Sequence, residues 1–452
     1  MIMNKKWTLA NLTGQASPSS LIACLAFAAL PLPVVADAAA SATPYLETLE
    51  QRVADLEKVL AEKDAASKTP QVKGATEYAF GGYIKLDIIA SQYSDGERAL
   101  AGVGDDFLVA SVIPVGGESG DPHLDMHAKH SRIWFKTTTA TELGTVGSYI
   151  EMDFGVNQIG DERISNSAAS RIRHAYLNWQ YDADSSILAG QTWSTFFNVS
   201  SLPDTLDFVG PVGTLFERQA QLRWTRALSA TSSLMLAVEN PSSGLYGEDG
   251  SAAGASAYDN NALPDTVLRY NAKSGDFSYS FAALLRELAY KQNFTNSQAQ
   301  AIRGDDSVYG YGLSFAGIWQ FGADDVRLQI SAGNALGRYL GLQTYRDGVI
   351  ADNGDIDLID TVGGYIAYRH FWAPKWRSSL VLSASSADNP NTVAATTAAS
   401  YQSAHANLIY APIAGLNFGV EYIRATKNNE RPVNSDDSGD VDRLQFSAKY
   451  TF

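Results

Sequence analysis

The sequence predicts an all-β fold: a 16-stranded antiparallel transmembrane β-barrel with a short N-terminal coiled-coil helix in the periplasm. About sixteen segments alternate apolar and polar residues, which indicates strands with one apolar face. The connections between these segments alternate short and long, a rhythm typical of barrels that cross a bacterial outer membrane. The last segment alternates to the final residue, Phe452, as expected of a strand that closes such a barrel.

The chain begins with a pattern typical of a secretory signal peptide. A basic start, an apolar run over residues 21–35 and small residues at 36–38 provide its three parts, and the run is too short to span a membrane. We therefore expect residues 1–38 to be removed on export. The only cysteine, Cys24, leaves with them, so we expect a mature chain without disulfides or cysteine metal sites.

Residues 39–64 are predicted to form the coiled-coil helix. Apolar residues recur there at alternating spacings of three and four, the a/d seam of a coiled coil, and they are Leu46, Leu49, Val53, Leu56 and Leu60. The alternative is an amphipathic helix that lies on the protein's own surface. Residues 65–77 have the composition of a flexible linker, and residues 78–452 are predicted to form the outer-membrane β-barrel.

The connections within the predicted barrel divide into two classes. Short ones, such as residues 182–184 and 373–375, separate strands at one end of the barrel. The long connections include residues 92–127, 196–215, 241–264, 290–306, 338–358 and 427–440. Outer-membrane barrels place their short turns in the periplasm and their long loops outside, and an even strand number returns both chain ends to the periplasm.

A family resemblance becomes specific in the middle of the chain. The stretch GQTWSTFFNVSSLPDTLDFVGPVGTLFERQAQLRWT, residues 190–225, resembles the DcaP-like porins, trimeric outer-membrane transporters of Gram-negative bacteria. GYIKLD (82–87), RIRHAYLNW (171–179) and YRHFWAPKWRSS (368–379) also resemble that family. The resemblance implies a homotrimer in contact with outer-membrane lipid and lipopolysaccharide. It also implies uptake of small anionic organic solutes, especially dicarboxylates.

Strand parity assigns a set of basic side chains to the barrel interior, opposite the apolar residues that face lipid. They are Lys85, His130, Arg132, Lys136, Arg223, Arg269, Arg286, Arg327, Arg377, Arg443 and Lys449. Positive groups that line a narrow pore concentrate anions and select them, so we expect all but the last two to line the channel and contact the solute. The alternative is that these charges only keep the lumen wet and brace one another.

The third long connection, residues 196–215, is predicted to fold into the barrel as a constriction loop. It carries Asp204, Asp207 and Phe208, followed by a hinge-like GPVG at residues 210–213. Two carboxylates that face a basic wall would create a transverse field across the narrowest zone. An ordinary external loop is the alternative.

The sequence predicts no metal site, no cofactor and no catalytic residue. His123, Asp125, His127 and His130 have spacings that could chelate a metal ion on a helix, but on a strand we expect their side chains to diverge. None of the common nucleotide-binding or hydrolase motifs occurs in the sequence.

The predicted function is therefore passive uptake of small anionic solutes through a water-filled channel, with no enzymatic activity and no nucleic-acid partner. A general diffusion porin is the first alternative, since it would share the fold but lack the selectivity. An outer-membrane hydrolase would need a serine beside His174, His370 or His405 in the barrel wall. A tether or adhesin would conduct no ions.

Overall fold

The computed structural model describes residues 76–97, 103–155, 158–159, 161, 163–247 and 259–452. The predicted signal peptide, the predicted coiled coil and residues 65–75 of the predicted linker lie outside the described residues. The last two residues of that linker, Thr76 and Glu77, begin the first strand. No helix in the described part of the chain is both long enough and apolar enough to cross a membrane.

The described residues form a closed antiparallel barrel. One sheet contains 17 strand segments, of which two are parts of a single interrupted strand, so the wall has the 16 strands predicted. In chain order they are β1 (Thr76–Tyr93), β2 (His123–His127 and Arg132–Thr141), β3 (Gly144–Asp153), β4 (Arg171–Gln180), β5 (Ser185–Trp193), β6 (Arg218–Ser229), β7 (Ser232–Glu239), β8 (Asp265–Ser274), β9 (Phe277–Lys291), β10 (Asp305–Phe321), β11 (Asp324–Gly333), β12 (Asp360–Ala373), β13 (Trp376–Asp388), β14 (Ala398–Ile413), β15 (Leu416–Val433) and β16 (Asp436–Thr451).

The barrel closes because the last strand pairs with the first. Tyr83 of β1 lies opposite Thr451 of β16. The amide of Phe452 donates to the carbonyl of Gly82 at 3.0 Å, and the amide of Gly82 donates to the carbonyl of Phe452 at 3.1 Å. A seam paired to the last residue leaves no open strand edge in the bilayer, which explains why the alternation continues to the end of the chain.

The alternation of β16 separates lipid-facing from interior side chains. Leu444 and Tyr450 are 52% and 50% exposed, whereas Gln445 is fully buried. Arg443 and Ser447 are buried on the same side as Gln445. The apolar side chains therefore face outward and the polar ones inward, as expected of a strand that crosses a bilayer.

Strand β2 is interrupted at residues 128–131. Strand β1 runs past the interruption and pairs with both parts, Asp87 with His127 and Tyr83 with Arg132. Residues 84–86 of β1 therefore face one residue more on β2, which is the arrangement of a β-bulge. The bulge turns His130 into the barrel, where it is fully buried.

The prediction of a long loop over residues 427–440 is wrong. Within residues 427–440, β15 extends to Val433 and β16 begins at Asp436. Asn434 and Ser435 form the turn between them, with φ angles of 52° and 79°. Positive φ at both central residues is the geometry of a tight type I′ hairpin, which lets the two strands extend beyond the rest of the wall.

Three long connections are used below: L1 (residues 94–122), L3 (194–217) and L6 (334–359). Short strands outside the wall are Leu245–Tyr246, Gly348–Ile350 and Ile356–Leu358 in one sheet, Phe294–Thr295 with Ala301–Ile302, and Gln158–Ile159 with Ser167–Ala168.

An apolar core lies inside the barrel and is built partly from these connections. Ile113 of L1, Phe196 and Leu215 of L3, and Leu340 and Tyr345 of L6 are each at most 2% exposed and belong to one cluster. Removing this apolar surface from water stabilises the inward-folded loops. The lumen of the barrel is therefore partly filled by packed loops.

Candidate functional site

L3 crosses the barrel interior and is held on the far side of it. The amide of Leu206 donates to the carboxylate of Glu421 on β15 at 2.7 Å. The amide of Leu215 donates to the side-chain oxygen of Gln329 on β11 at 3.1 Å. Since L3 itself connects β5 to β6, these contacts place it across the lumen, between the β6–β8 wall and the β11–β15 wall.

The two aspartates of L3 have different partners. Asp204 accepts a hydrogen bond from Arg377 at 2.6 Å and lies 3.7 Å from Arg369. Burial raises the pKa of Asp204, but the hydrogen bond and the charge of Arg377 outweigh it, so this pKa lies below its ordinary value. Asp207 instead accepts from the amide of Leu108 in L1 at 2.7 Å and from two amides of its own loop. Asp204 thus contacts basic side chains, whereas Asp207 shapes the loop.

Phe208 lies among basic groups in the barrel interior. Its ring stacks on the imidazole of His130, with 4.4 Å between the ring centroids. The guanidinium groups of Arg173 and Arg171 lie 5.1 and 5.7 Å from the same ring. A cation over an aromatic face is attracted by the ring quadrupole, so Phe208 binds L3 to the basic side chains of β2 and β4.

Most of the basic residues predicted to line the channel are ion-paired. The pairs are Lys85–Asp87, Arg132–Glu151, Arg286–Asp265, Arg327–Asp325 and Arg377–Asp204, with N–O distances of 3.0, 3.2, 3.1, 2.8 and 2.6 Å. Lys85 and Arg327 also donate to backbone carbonyls of L3. A carboxylate this close compensates much of the positive charge, so these residues contribute to the fold more than to the field of the lumen.

Two of the predicted lining residues are fully enclosed. Arg286 is 1% exposed, and its guanidinium lies 2.8 Å from Asp347 as well as 3.1 Å from Asp265. Asp347 belongs to L6, which folds over the arginine and removes it from water. His130 is also buried, and its Nδ1 donates to Asp87 at 3.0 Å. Strand parity places both side chains inside the barrel, but it contains no information about the loops that cover them.

Arg223 and Arg269, on the β6–β8 wall, are unlike the paired residues. No carboxylate of the described residues lies within 4.0 Å of either guanidinium. Arg269 donates to the carbonyl of Phe197 at 2.9 Å and to the side chain of Asn271 at 2.7 Å. The Nε of Arg223 is buried and has no hydrogen-bond partner. The last predicted residue, Lys136, is exposed and also lies away from described carboxylates.

Arg218, the first residue of β6, belongs to the same group, although strand parity misses it. Its guanidinium lies 4.2 Å from the ring of Trp193 and 5.3 Å from the ring of Phe216. It has no carboxylate within 4.0 Å in the described part of the chain, and its Nη1 is buried without a hydrogen-bond partner. Parity fails because this residue follows L3 inward instead of continuing the regular alternation of the strand. The aromatic residue two positions before it is the sequence signal that could have identified it.

A cavity of about 170 Å³ lies beside L3, toward the end of the barrel that carries the C-terminus. Residues 204–208 of L3 and the side chains of Tyr83, Arg132, Arg377 and Lys449 contribute to its lining. Arg132 and Lys449 each lie 5.1 Å from the ring of Tyr83. No described carboxylate lies within 4.0 Å of the Lys449 ammonium, so the cavity contains uncompensated positive charge.

L1 also enters the barrel, which the sequence analysis did not predict. Phe107 is 2% exposed, and its ring centroid lies 5.6 Å from that of Phe208 in L3. The apolar run FLVASVI, residues 107–113, could have indicated that L1 folds inward, because a loop exposed to water is expected to contain fewer apolar side chains. L1 and L3 therefore constrict the lumen together.

His127 and His130 lie closer together than a regular strand would allow. Their ring centroids are 4.7 Å apart, because the bulge in β2 turns His130 back toward His127. The expectation that these side chains diverge is therefore wrong for this pair. His123, further along β2, lies 3.5 Å from Asp125 and 3.9 Å from Asp105 of L1.

Ser403, His405 and Glu421 form a hydrogen-bond chain like that of a hydrolytic triad. The Nε2 of His405 lies 3.2 Å from the Ser403 hydroxyl, and its Nδ1 lies 3.1 Å from Glu421. All three residues are buried, and the Ser403 hydroxyl accepts from the amide of Val212 in L3 at 3.3 Å. Glu421 holds the amide of Leu206 in the same loop. The chain therefore anchors L3, and the loop covers the serine.

A profile of the DcaP outer membrane protein family matches residues 50–452. The outer membrane channel DcaP of Acinetobacter baumannii is similar in structure, with a TM-score of 0.66 and 22% identity over 84% of this chain and 98% of that chain. The anion-selective porin from Comamonas acidovorans has a TM-score of 0.55 and 9% identity over 84% of this chain and 100% of its own. The trimer form of OmpT from Vibrio cholerae has a TM-score of 0.50 and 12% identity over the same shares. No curated protein sequence matches the chain.

Proposed function

The chain belongs to the DcaP outer membrane protein family, and on this basis we propose that it is a channel for small anionic solutes. The preferred solutes are dicarboxylates or related organic acids, which cross passively through a water-filled lumen narrowed by L1 and L3. The chain has no enzymatic role in this proposal. It acts by selecting which solutes pass.

The main support for this proposal is a group of arginines on the β6–β8 wall that have no carboxylate partner among the described residues. Arg218, Arg223 and Arg269 have no described carboxylate within 4.0 Å, although acids pair with most other basic groups of the lumen. Unpaired positive charge inside a wall of low dielectric raises the local concentration of anions. The same barrel fold hosts an anion-selective porin in Comamonas acidovorans, so the fold is compatible with this selectivity.

The preference for two carboxylates follows from how the charges are distributed. A guanidinium offers a bidentate site to a carboxylate, so a solute with two carboxylates can contact two basic groups at once. Lys449, beside the cavity near the C-terminal end, provides a second station after the arginines of the β6–β8 wall. Binding at each station has to stay weak, because a solute that binds tightly does not leave the channel.

The assembly is proposed to be a trimer with its N-terminal helix in the periplasm. The coiled-coil pattern over residues 39–64 supports self-association, and a trimer form of OmpT from Vibrio cholerae shares the barrel fold. Residues 1–38 act as the export signal in this proposal. Native mass spectrometry of the mature protein tests the assembly, since a purely monomeric spectrum would exclude the trimer.

The test of selectivity is the reversal potential of the mature protein in a planar bilayer across a salt gradient. We expect an anion-selective potential and transient current block by a dicarboxylate such as succinate. The double substitution Arg223→Gln with Arg269→Gln should weaken both effects while conductance persists. The matched control is Arg424→Gln, because Arg424 is exposed outside the lumen and paired with Asp440 at 2.7 Å.

A different result would favour one of the alternatives. Cation preference, or the absence of carboxylate block in the unaltered protein, would leave a general diffusion porin as the better description. A bilayer with inserted protein but no conductance would indicate a tether. Equal loss of selectivity in the Arg424→Gln control would show that the interior arginines are not responsible.

A further inference from the structure

A pair of buried imidazoles lies where strand β2 is interrupted. The rings of His127 and His130 are nearly perpendicular, at 87°, with centroids 4.7 Å apart. The side chain of His130 is fully buried and that of His127 is 6% exposed. The proposed channel function uses neither ring to contact solute.

The hydrogen bonds of the two rings determine which nitrogen of each carries the proton. The Nε2 of His127 lies 3.2 Å from the backbone carbonyl of Asp106, and a carbonyl only accepts, so this nitrogen is protonated. The Nδ1 of His130 lies 3.0 Å from Asp87. That carboxylate also accepts from Ser447 and Gln445 and lies 3.0 Å from the Lys85 ammonium, so it is ionised and this nitrogen also donates.

The opposite nitrogens are left with lone pairs. The Nδ1 of His127 and the Nε2 of His130 are both buried and have no hydrogen-bond partner. A buried acceptor without a partner is unfavourable, so two of them in neighbouring rings require an explanation. A neutral imidazole held by a carboxylate or a carbonyl is also the usual arrangement of a histidine that ligates a metal, because the outer hydrogen bond fixes the tautomer.

We propose that His127 and His130 bind a divalent transition-metal ion that favours imidazole, with Zn²⁺ as the representative ion. One nitrogen of each ring and a carboxylate oxygen of Asp87 lie within 4.8 Å of one another, so these side chains are grouped closely enough to hold a metal ion. Zn²⁺, Ni²⁺ and Cu²⁺ accept imidazole ligands, whereas Mg²⁺ and Ca²⁺ prefer sets of oxygens. Water completes the coordination.

The surrounding charges limit the strength of this site. Lys85 compensates Asp87, and Lys129 lies 2.8 Å from Asp106, so the two acids orient the rings and leave little net negative charge for a cation. The ion is therefore held mainly by the two nitrogens. A single water molecule that donates one hydrogen bond to each nitrogen is the competing explanation, and the experiment has to separate the two.

Binding at this site would act on the constriction. His130 stacks on Phe208 of L3 at 4.4 Å, and His127 holds the backbone of L1 through Asp106. An ion that joins the two imidazoles would tie both loops to β2 at one point. The inference does not depend on the charge of the permeating solute.

The test uses the tag-free mature protein in detergent, stripped of metal with a chelator, and titrates Zn²⁺ by calorimetry. We expect one saturable site in the unaltered protein, weakened at least about tenfold in His127→Gln and in His127→Ala. The matched controls are His370→Gln, in which the lost ring lies on β12 beside Asp324, and His123→Gln, which removes the neighbouring histidine of β2. Both controls should bind Zn²⁺ as the unaltered protein does.

A second readout does not depend on how the variants fold. Co²⁺ added to the unaltered protein should give the visible absorption of a nitrogen-ligated ion of low coordination number. The proposal is overturned if the unaltered protein shows no saturable Zn²⁺ binding, which would favour the bridging water. It is also overturned if binding survives His127→Gln, if it is lost in His123→Gln, or if bound Co²⁺ has the spectrum of an ion with only oxygen ligands.

Discussion

The β6–β8 wall and the β11–β15 wall both present arginines to the lumen, but only the arginines of the second wall are paired with carboxylates. On the β11–β15 wall, Arg377 is bonded to Asp204 of L3 and Arg369 pairs with Asp325. On the β6–β8 wall, Arg223 and Arg269 have no described carboxylate within 4.0 Å. The number of basic residues in a barrel therefore does not give the field of its lumen. The arginines of one wall are paired with carboxylates, whereas Arg223 and Arg269 of the other wall are not, although Arg269 also donates to the Phe197 carbonyl of L3.

The largest effect is expected from breaking the loop anchor on the β11–β15 wall. Glu421 is fully buried, lies 3.1 Å from His405 and accepts from the amides of L3. In Glu421→Ala these donors lose their acceptor, so we expect the free energy of unfolding to fall by about 3–5 kcal/mol. Urea unfolding in detergent measures this change, and single-channel recording should show larger conductance because L3 is released.

The control for this experiment is Asp437→Ala, at an exposed position of the β15–β16 hairpin. A surface substitution of this kind should change the free energy of unfolding by no more than about 0.5 kcal/mol. Unchanged stability and conductance in Glu421→Ala would show that L3 does not depend on the β11–β15 wall. The claim that the β11–β15 wall holds L3 would then be contradicted.

A smaller effect is expected from making the two walls alike. In Asp204→Asn, Arg377 loses the carboxylate 2.6 Å away and Arg369 loses a second one at 3.7 Å. The β11–β15 wall then gains uncompensated positive charge, so the preference for anions should increase, as measured by the reversal potential. Asp357→Asn, at an exposed position outside the wall, is the control and should leave the potential unchanged. A shift toward cations in Asp204→Asn would contradict the assignment of Asp204 as a compensating charge.

The smallest effect is a pH dependence that separates two acids of L3. Burial raises the pKa of Glu217 above its ordinary 4.5, although Arg338 at 3.9 Å opposes this shift. The pKa of Asp204 lies below its ordinary 3.8, because Arg377 outweighs the effect of burial. On acidification Glu217 therefore becomes neutral first, while Asp204 stays ionised and keeps Arg377 compensated.

As the pH falls from neutral toward the ordinary glutamate pKa of 4.5, we therefore expect a modest increase in anion preference that comes from Glu217. Reversal potentials measured over this range for the unaltered protein and for Glu217→Gln provide the test. The substitution should raise the anion preference at neutral pH and flatten its dependence on pH. An equally steep dependence in Glu217→Gln would assign the titration to another group.

The wall of the barrel was predictable from sequence because each strand carries its own information. In β16 the alternation of Leu444 with Gln445 indicates which side of the strand faces lipid, and this pattern can be interpreted without any distant residue. The hairpin at Asn434 and Ser435 was missed for a local reason. Its polar residues resemble a solvated loop, although two strands extend through them and turn within two residues.

The lumen was less predictable because its chemistry depends on residues that are far apart in the chain. Parity places Arg286 inside the barrel, but Asp347, which encloses it, comes from L6. Parity gives the same description to Arg269, which has no such partner. Only the packing of the loops distinguishes an arginine enclosed beside carboxylates from one that has no such partner. The apolar–polar alternation of a single strand gives no information about how the loops pack against it.

The hydrogen bonds between Gly82 and Phe452 have a consequence for biosynthesis. Strand β1 pairs with β2 on one side, but its neighbour on the other side is β16, where Tyr83 lies opposite Thr451. Before β16 has been synthesised, no part of the chain can form a closed wall, and any strands that pair early leave an exposed edge that can recruit other chains. Contacts of such large sequence separation also form slowly. The nascent chain therefore has to be kept from pairing with other chains until β16 has been made, because only the pairing of β1 with β16 closes the wall.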